Sequence, residues 1–155
     1  MVSNLQVFNE DWTIKEKIDG FVFKDSRGAV NLPFPSLKGT HQVLNAGVSV
    51  AVLRHLGVSS NRVLRKAMSD VVWPARMQQL VSGPVTEIAI NSEIWLDGGH
   101  NQAAGQAISS FVQSAWAKEP LHLIVGMLNS KKSVDFLRPL ASNARSIRVI
   151  NIPGE

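Results

Sequence analysis

The chain has 155 residues, of which 45% are hydrophobic, and a formal net charge of +4. This length suits one ordinary domain or two small lobes, and no apolar run approaches the roughly 18 residues that would predict a membrane span. The start of the chain shows no leader pattern, so we expect a cytoplasmic protein without a membrane partner. The absence of cysteine excludes disulfides, thiol nucleophiles and cysteine-ligated zinc.

The excess of basic residues does not form a nucleic-acid motif. The chain has no tyrosine, and its four tryptophans and six phenylalanines are not interleaved with a basic run. A stacking platform for single-stranded nucleic acid is therefore weakly supported, and we expect no nucleic-acid partner.

The first part of the chain predicts a short strand and then a β-hairpin. The strand covers Leu5 to Phe8, and the hairpin joins Phe21–Phe23 to Ala29–Leu32 through a loop that contains Gly28.

Two helices follow the hairpin. The first runs from about His41 to Leu56, with Thr40 as its cap and Gly57 at its C-terminal end. Its apolar stripe consists of Val43, Ala46, Val50 and Leu53. The second helix runs from about Asn61 to Asp70 and is capped by Ser59 or Ser60. Its inward positions are Val63, Leu64, Ala67 and Met68.

The first helix also carries a polar stripe. His41, Asn45 and Ser49 fall at i, i+4 and i+8 and therefore share one face. Such a stripe either is solvated or faces a ligand, and the sequence leaves both interpretations open.

Proline predicts a boundary at Trp73-Pro74-Ala75, and short strands and helices follow it. Strands are predicted at Arg76–Val81, Glu87–Ile90, Glu93–Leu96, Leu121–Val125 (a buried type) and Ser146–Ile152. Helices are predicted over Ala104, Ala107, Ile108, Phe111 and Ala115 to about Trp116, and over Ser133–Leu140. From Glu93 onward the order is β-α-β-α-β, which favours a parallel, helix-covered sheet.

The corner between the strand ending at Leu96 and the next helix is the main candidate site. It reads Asp97-Gly98-Gly99-His100-Asn101. Glycines allow a close backbone approach to a ligand, and a helix N-terminus favours an anion. The alternative is a polar turn in which Asn101 is the N-cap of the helix.

Two other features of the sequence could indicate a phosphate-binding loop or a metal site. The stretch Gly126 to Ser133 fits a P-loop except that Lys131 replaces the second glycine, so we interpret it as an ordinary βα loop. The four histidines show no metal-ligand spacing.

Three separated blocks of the sequence are Gly39-Thr40-His41-Gln42-Val43-Leu44-Asn45-Ala46, Trp73-Pro74-Ala75-Arg76-Met77-Gln78 and Leu96-Asp97-Gly98-Gly99-His100-Asn101. In this order they resemble the ATP-site blocks of folylpolyglutamate synthase/dihydrofolate synthase, in the Mur ligase superfamily. The similarity continues through Ile124–Asn129 and Ile152–Glu155. The family usually has Arg in place of Thr40, Pro in place of Gln102, and often Ala in place of Gly98 or Gly99.

The resemblance implies an α/β fold: a Rossmann-like C-terminal Mur ligase domain preceded by the tail, a hairpin plus two helices, of the central ATPase domain. The tail would be residues 1–72 and the C-terminal domain residues 76–155, cut short after Glu155. The implied activity is ATP-dependent ligation of glutamate to dihydropteroate or folate through an acyl phosphate.

The resemblance also implies roles for individual residues. Asn45 would lie near adenine, Arg76 would meet the phosphates, and Asp97 would hold the ribose or order the closing domain. His100 would sit near the incoming glutamate and the γ-phosphate. The supporting residues would be His41, Gly98, Gly99 and Asn101.

The P-loop, the Mg²⁺ ligands and the pterin-binding part of such enzymes have no counterpart in these 155 residues. We therefore expect a carboxy-terminal fragment that is inactive alone and can self-associate, from a parent that is a monomer. The alternative is a stand-alone nucleotide-binding or interaction module without catalysis.

Overall fold

A computed structural model describes residues 5–153 of the chain. The chain divides into two compact units, the first ending at Trp73 and the second beginning at Pro74. The mixture of helices and strands with a parallel pair confirms the α/β class. The assignment of residues 1–72 and 76–155 to two ligase domains stays a prediction, and Gly154 and Glu155 lie outside the described residues.

The first unit contains an antiparallel sheet of three strands in the order β1-β2-β3. The strands are β1 (Trp12–Lys17), β2 (Gly20–Asp25) and β3 (Gly28–Pro33). The predicted hairpin of β2 and β3 is confirmed. Strand β1 was not predicted, because four of its six residues are charged or exposed polar and the core side of the strand is marked mainly by Trp12.

The strand predicted at Leu5–Phe8 is wrong. The Asp11 carboxylate accepts a hydrogen bond from the Val7 N–H at 2.7 Å, and Asn9 has a φ of 69°. These features turn the chain, so that Phe8 forms only an isolated bridge with Trp12. Asparagine tolerates this left-handed backbone better than most residues, which makes the turn possible.

Both helices of the first unit are confirmed, as α1 (His41–His55) and α2 (Asn61–Asp70). Gly57 ends α1 with a φ of 91°, and its N–H donates to the Arg54 carbonyl at 3.0 Å. The predicted cap at Thr40 is wrong: Thr40 has helical φ and ψ, and its side chain makes no capping bond. A capping side chain needs a non-helical backbone.

Helix α2 is capped by Ser60, whose hydroxyl accepts from the Val63 N–H at 3.5 Å. Leu64 and Met68 are buried as predicted, but Val63 and Ala67 are exposed. The helix therefore packs through a single i, i+4 row, which is narrower than the stripe that the sequence predicts.

The core of the first unit lies between α1, α2 and the sheet. Helix α1 approaches the sheet closely at Gly47, where an added Cβ would lie 2.8 Å from Ile14 Cγ2 and 2.9 Å from Trp12. The buried apolar residues of this core are Trp12, Phe21, Phe23, Val30, Leu32, Val43, Ala46, Val50, Ala51, Leu64 and Met68.

Residues 74–153 of the second unit form four strands and three helices. The strands are β4 (Gln78–Leu80), β5 (Ile94–Leu96), β6 (Leu121–Val125) and β7 (Ala144–Val149). The helices are α3 (Pro84–Ile88), α4 (Gln102–Ala115) and α5 (Ser133–Ala141). No helix within residues 5–153 is both long and apolar enough to cross a membrane.

The predicted strand at Glu87–Ile90 is wrong, because Glu87 and Ile88 belong to α3 and the two residues after them form no strand. Pro84 occupies the first turn, where its missing N–H costs no hydrogen bond. The N–H groups of Thr86 and Glu87 both donate to the Gly83 carbonyl, which closes the helical turn.

The strands of the second unit do not form the single parallel sheet that the sequence predicts. Strands β6 and β7 pair in parallel, whereas β5 pairs with β4 in antiparallel fashion. Strand β6 is not of the buried type, since Ile124 is 74% exposed. Side chains of a strand alternate between faces, so covering one face leaves the other in contact with solvent.

Helices α4 and α5 pack through small residues. An added Cβ at Gly105 would lie 2.2 Å from the Phe136 carbonyl oxygen, and the Ser109 hydroxyl donates to the Pro139 carbonyl at 2.8 Å. The buried residues of α4 are Gly105, Ser109 and Val112. The buried face of α4 is therefore next to the apolar stripe that the sequence predicts. Of that predicted stripe, one residue is exposed, Ala115, and four are half-buried: Ala104, Ala107, Ile108 and Phe111.

Candidate functional site

The corner between β5 and α4 combines a helix cap with a carboxylate-centred turn. Asn101 has an extended backbone, and its Oδ1 accepts from the Ala104 N–H at 2.9 Å, which confirms it as the N-cap of α4. This cap occupies Asn101 but leaves the role of Asp97 and His100 to be explained.

The Asp97 carboxylate joins the corner to the segment around Arg76. Its Oδ1 accepts from the Gly99 N–H at 2.7 Å, and its Oδ2 accepts from the Met77 N–H at 2.8 Å. Both distances are short enough for charge-assisted hydrogen bonds. Two of the sequence blocks, separated by about 20 positions, therefore meet at one side chain.

A second contact fixes the same segment from its other end. The Gly98 N–H donates to the Ala75 carbonyl at 2.9 Å, and the Ala75 N–H donates to the Gln78 side chain at 2.9 Å. Ala75 and Met77 have φ values of 55° and 43°, which non-glycine residues rarely adopt. Arg76 lies exposed between these two left-handed residues.

His100 is exposed, and its Nδ1 lies 3.0 Å from the Gly98 carbonyl oxygen. A carbonyl oxygen only accepts, so Nδ1 carries the proton in this contact. In the neutral ring this arrangement makes Nε2 an acceptor, which suits a group that receives a proton or a hydrogen bond from a ligand.

The two glycines of the corner are not equivalent. A Cβ at Gly99 would lie 2.9 Å from Asp97 Oδ1 and 3.1 Å from Phe136, whereas a Cβ at Gly98 would meet nothing closer than 3.5 Å. An alanine at position 99 would therefore crowd the Asp97 carboxylate and the Phe136 ring, whereas position 98 has room for alanine.

His41 and Asn45 lie in the first unit, on α1. Asn45 is exposed, and its Nδ2 donates to Gln42 Oε1 at 3.1 Å, while the Ser49 hydroxyl donates back to the Asn45 carbonyl at 3.0 Å. The structure thus gathers Arg76, Asp97, Gly98, Gly99, His100 and Asn101 within the second unit. It places His41 and Asn45 in the first.

The loop before α5 does not have the geometry of a phosphate cradle. The N–H groups of Lys131, Ser133 and Asp135 donate to carbonyls of the same loop, which leaves them unavailable to a ligand. No group of three or more His, Cys, Asp or Glu side chains that could hold a metal ion occurs within the part of the chain that the structure describes. The expectation that the Mg²⁺ ligands belong to another part of such an enzyme stays a prediction.

Sequence reasoning identified the corner residues but missed the left-handed conformation of Ala75 and Met77. Neither residue type prefers positive φ, and the neighbouring Pro74 indicates only a boundary. The conformation depends on hydrogen bonds to Asp97 and Gly98, which no local pattern shows.

No protein-family model matches the chain. Comparison with solved structures defines the fold of the chain, which is an α/β fold shared with part of solved folylpolyglutamate synthases. The similarity is specifically to folylpolyglutamate synthases, as the three sequence blocks indicate, and it confirms that resemblance at the level of the fold.

Folylpolyglutamate synthase from Thermotoga maritima matches with a TM-score of 0.70 and 24% identity over 95% of this chain. E. coli FolC in complex with DHPP and ADP matches with a TM-score of 0.77 and 23% identity over 92% of this chain. The UDP-N-acetylmuramoylalanine–D-glutamate ligase of Rickettsia felis is 27% identical over 127 residues, which is 81% of this chain.

The chain spans only part of each of these proteins. It covers 34% of the Thermotoga chain, 32% of the E. coli chain and 26% of the Rickettsia ligase.

Proposed function

We propose that the chain is part of an ATP-dependent ligase that joins glutamate to dihydropteroate or folate. In this reaction the γ-phosphoryl group of ATP is transferred to a substrate carboxylate, giving an acyl phosphate and ADP. The amine of glutamate then attacks the acyl carbon, the amide bond forms, and inorganic phosphate leaves with the electron pair of the broken C–O bond.

The observation that carries this proposal is the meeting of the second and third sequence blocks at Asp97. Hydrogen bonds of 2.7–2.9 Å hold the Arg76 segment against the Asp97–His100 corner. Both blocks resemble nucleotide-site blocks in sequence, and this resemblance does not depend on their proximity. The ADP in the E. coli FolC structures, which share this fold, supports a nucleotide as the ligand.

Within this proposal each residue has a role that its chemistry suits. Arg76 is exposed and binds phosphate oxygens, since a guanidinium can pair bidentately with them and can stabilise charge on a transferring phosphoryl group. His100 lies near the glutamate and the γ-phosphate, with Nε2 available. Asn45, supported by His41, lies near adenine.

The 155 residues contain no complete G-x-x-x-x-G-K-[ST] motif, so we expect them not to turn over ATP alone. The test is an assay of the purified chain with ATP, Mg²⁺, radiolabelled L-glutamate and either dihydropteroate or folate. Labelled product from the purified chain would contradict this expectation.

The DNA on both sides of the codons for Met1 and Glu155 separates the ligase from a stand-alone binding module. A continuous frame that encodes a P-loop roughly two domain lengths upstream would support the ligase. A stop codon immediately before Met1 would favour a nucleotide-binding or interaction module without catalysis.

A further inference from the structure

We infer that Asp97 is a positioning residue that holds Arg76 in place through the backbone, before any nucleotide binds. This inference rests on the proposed function, because it assigns Arg76 to the phosphates of ATP. It deepens that function by naming what orients the arginine: the bridge that the Asp97 carboxylate forms between the Met77 and Gly99 N–H groups.

The bridge acts on a segment that does not favour its own conformation. Ala75 and Met77 both have positive φ, and a left-handed backbone is unfavourable for residues with a Cβ. These two residues, one before and one after Arg76, would relax to other conformations unless tertiary contacts held them. The observed contacts are those of Met77 with Asp97 and of Ala75 with Gly98, one on each side of the arginine.

The bridge requires a carboxylate and not merely a polar side chain. Each Asp97 oxygen accepts one N–H group, so both oxygens are used. Asparagine has the same shape, but its amide nitrogen cannot accept, so one of the two N–H groups would face another donor. The substitution Asp97→Asn therefore removes one link with almost no change in volume.

Each carboxylate oxygen can accept more than one hydrogen bond, so the bridge leaves Asp97 able to contact a ribose hydroxyl as well. The two roles make different predictions. If Asp97 acts through Arg76, the effects of the two residues on ATP binding depend on each other. If Asp97 acts only by contacting the ribose, their effects are independent and add.

The first measurement is amide hydrogen exchange of Met77 and Gly99 by NMR, in the absence of nucleotide. We expect both amides to be protected in the wild-type chain. Asp97→Asn should lower the protection of at least one of them by roughly tenfold or more, the effect of losing a hydrogen bond to a charged group. It should also increase the backbone mobility of Arg76. The matched control is Glu93→Gln, since the exposed Glu93 carboxylate accepts from the indole N–H of the half-buried Trp95 at 3.0 Å and is not part of the bridge.

Unprotected Met77 and Gly99 amides in the wild-type chain would overturn the inference, whether or not the variant folds. An Asp97→Asn chain with wild-type protection and unchanged Arg76 mobility would overturn it equally.

The second measurement is a double-mutant cycle on ATP binding with Arg76→Ala, Asp97→Asn and the double variant. We expect Arg76→Ala to weaken binding by roughly tenfold or more in the wild-type background, and by clearly less when Asp97 is already changed. Additive effects would contradict a positioning role. If the wild-type chain binds no ATP, the proposed nucleotide site fails, and the exchange experiment still decides whether Asp97 fixes the Arg76 segment.

Discussion

The first unit buries a continuous apolar core, whereas the second unit buries few apolar side chains and depends more on hydrogen bonds and small-residue contacts. Eleven apolar residues form the core cluster of the first unit. Among residues 74–153, the buried apolar residues are Met77, Val112, Phe136 and Leu140. The residues assigned to phosphate and glutamate lie in the second unit. Binding segments are generally drawn from the less stable parts of a protein, so we expect the second unit to be the less stable of the two.

The largest expected effect is on the core of the first unit. Phe23 is fully buried and stacks on Trp12 with 5.7 Å between ring centroids. Phe23→Ala should destabilise the first unit by about 3–5 kcal/mol, because it removes apolar contacts and leaves a cavity. NMR signals of the first unit should then be lost at lower urea concentration, while those of the second unit change little. The control is Phe34→Ala, at a position 38% exposed.

If the signals of both units shifted together in Phe23→Ala, the units would not be independent in stability. It would then be wrong to say that the first unit is stabilised by its own apolar core and the second mainly by hydrogen bonds and small-residue contacts.

The next effect distinguishes two closely packed helical glycines. At Gly105 an added Cβ would collide with the Phe136 carbonyl at 2.2 Å, whereas at Gly47 it would meet the side chains of Ile14 and Trp12. A backbone carbonyl cannot move aside as a side chain can, so Gly105→Ala should cost about 1–3 kcal/mol or more and exceed Gly47→Ala. Urea denaturation of the two variants compares them, and an equal or reversed order would contradict this packing.

A smaller effect is expected at the helix caps. Asn101 caps α4 through its side chain, whereas Thr40 makes no side-chain capping bond at α1. Asn101→Ala should destabilise the second unit by about 1 kcal/mol, and Thr40→Ala should have almost no effect on the first. Comparable losses from both substitutions, measured by thermal unfolding, would show that Thr40 does cap α1.

The smallest effect on stability is expected on the outer face of α1, which bears apolar side chains at i+4 spacing. These partly exposed residues are Leu44, Val48, Val52 and Leu56. Exposed apolar patches favour association, so we still expect the isolated chain to self-associate. Val48→Glu should change the unfolding free energy by only about 0.5 kcal/mol and reduce the sedimenting mass. The exposed Ile88→Glu, in the second unit, is the control. A concentration-independent monomer would contradict self-association.

Several helices and strands could be predicted from sequence because the residues that define them are close together in the chain. Helix α2 was predicted at about Asn61–Asp70 and strand β6 at Leu121–Val125, and both have these bounds in the structure. The segment Glu87–Ile90 was assigned to the wrong element, because its two isoleucines favour a strand while the Gly83-Pro84 start favours a helix. In so short a segment the capping geometry decided the outcome.

The candidate site could be predicted only in part. The strand-turn-helix pattern located Asp97 and His100, and the resemblance added Arg76. Neither indicated that Asp97 accepts from the Met77 N–H, because that bond joins positions about 20 residues apart. The small-residue face of α4 was also missed, since Gly105 and Ser109 are buried by the approach of α5 and not by their hydrophobicity.

Calorimetric titration of ATP into the purified chain and two arginine variants tests the nucleotide site most directly. Arg76→Ala removes the residue assigned to the phosphates, and Arg145→Ala removes another exposed arginine of the second unit. We expect ATP to bind the wild-type and Arg145→Ala chains alike, and Arg76→Ala to weaken binding by roughly tenfold or more. No binding to the wild-type chain, or equal losses in both variants, would contradict a nucleotide site at Arg76.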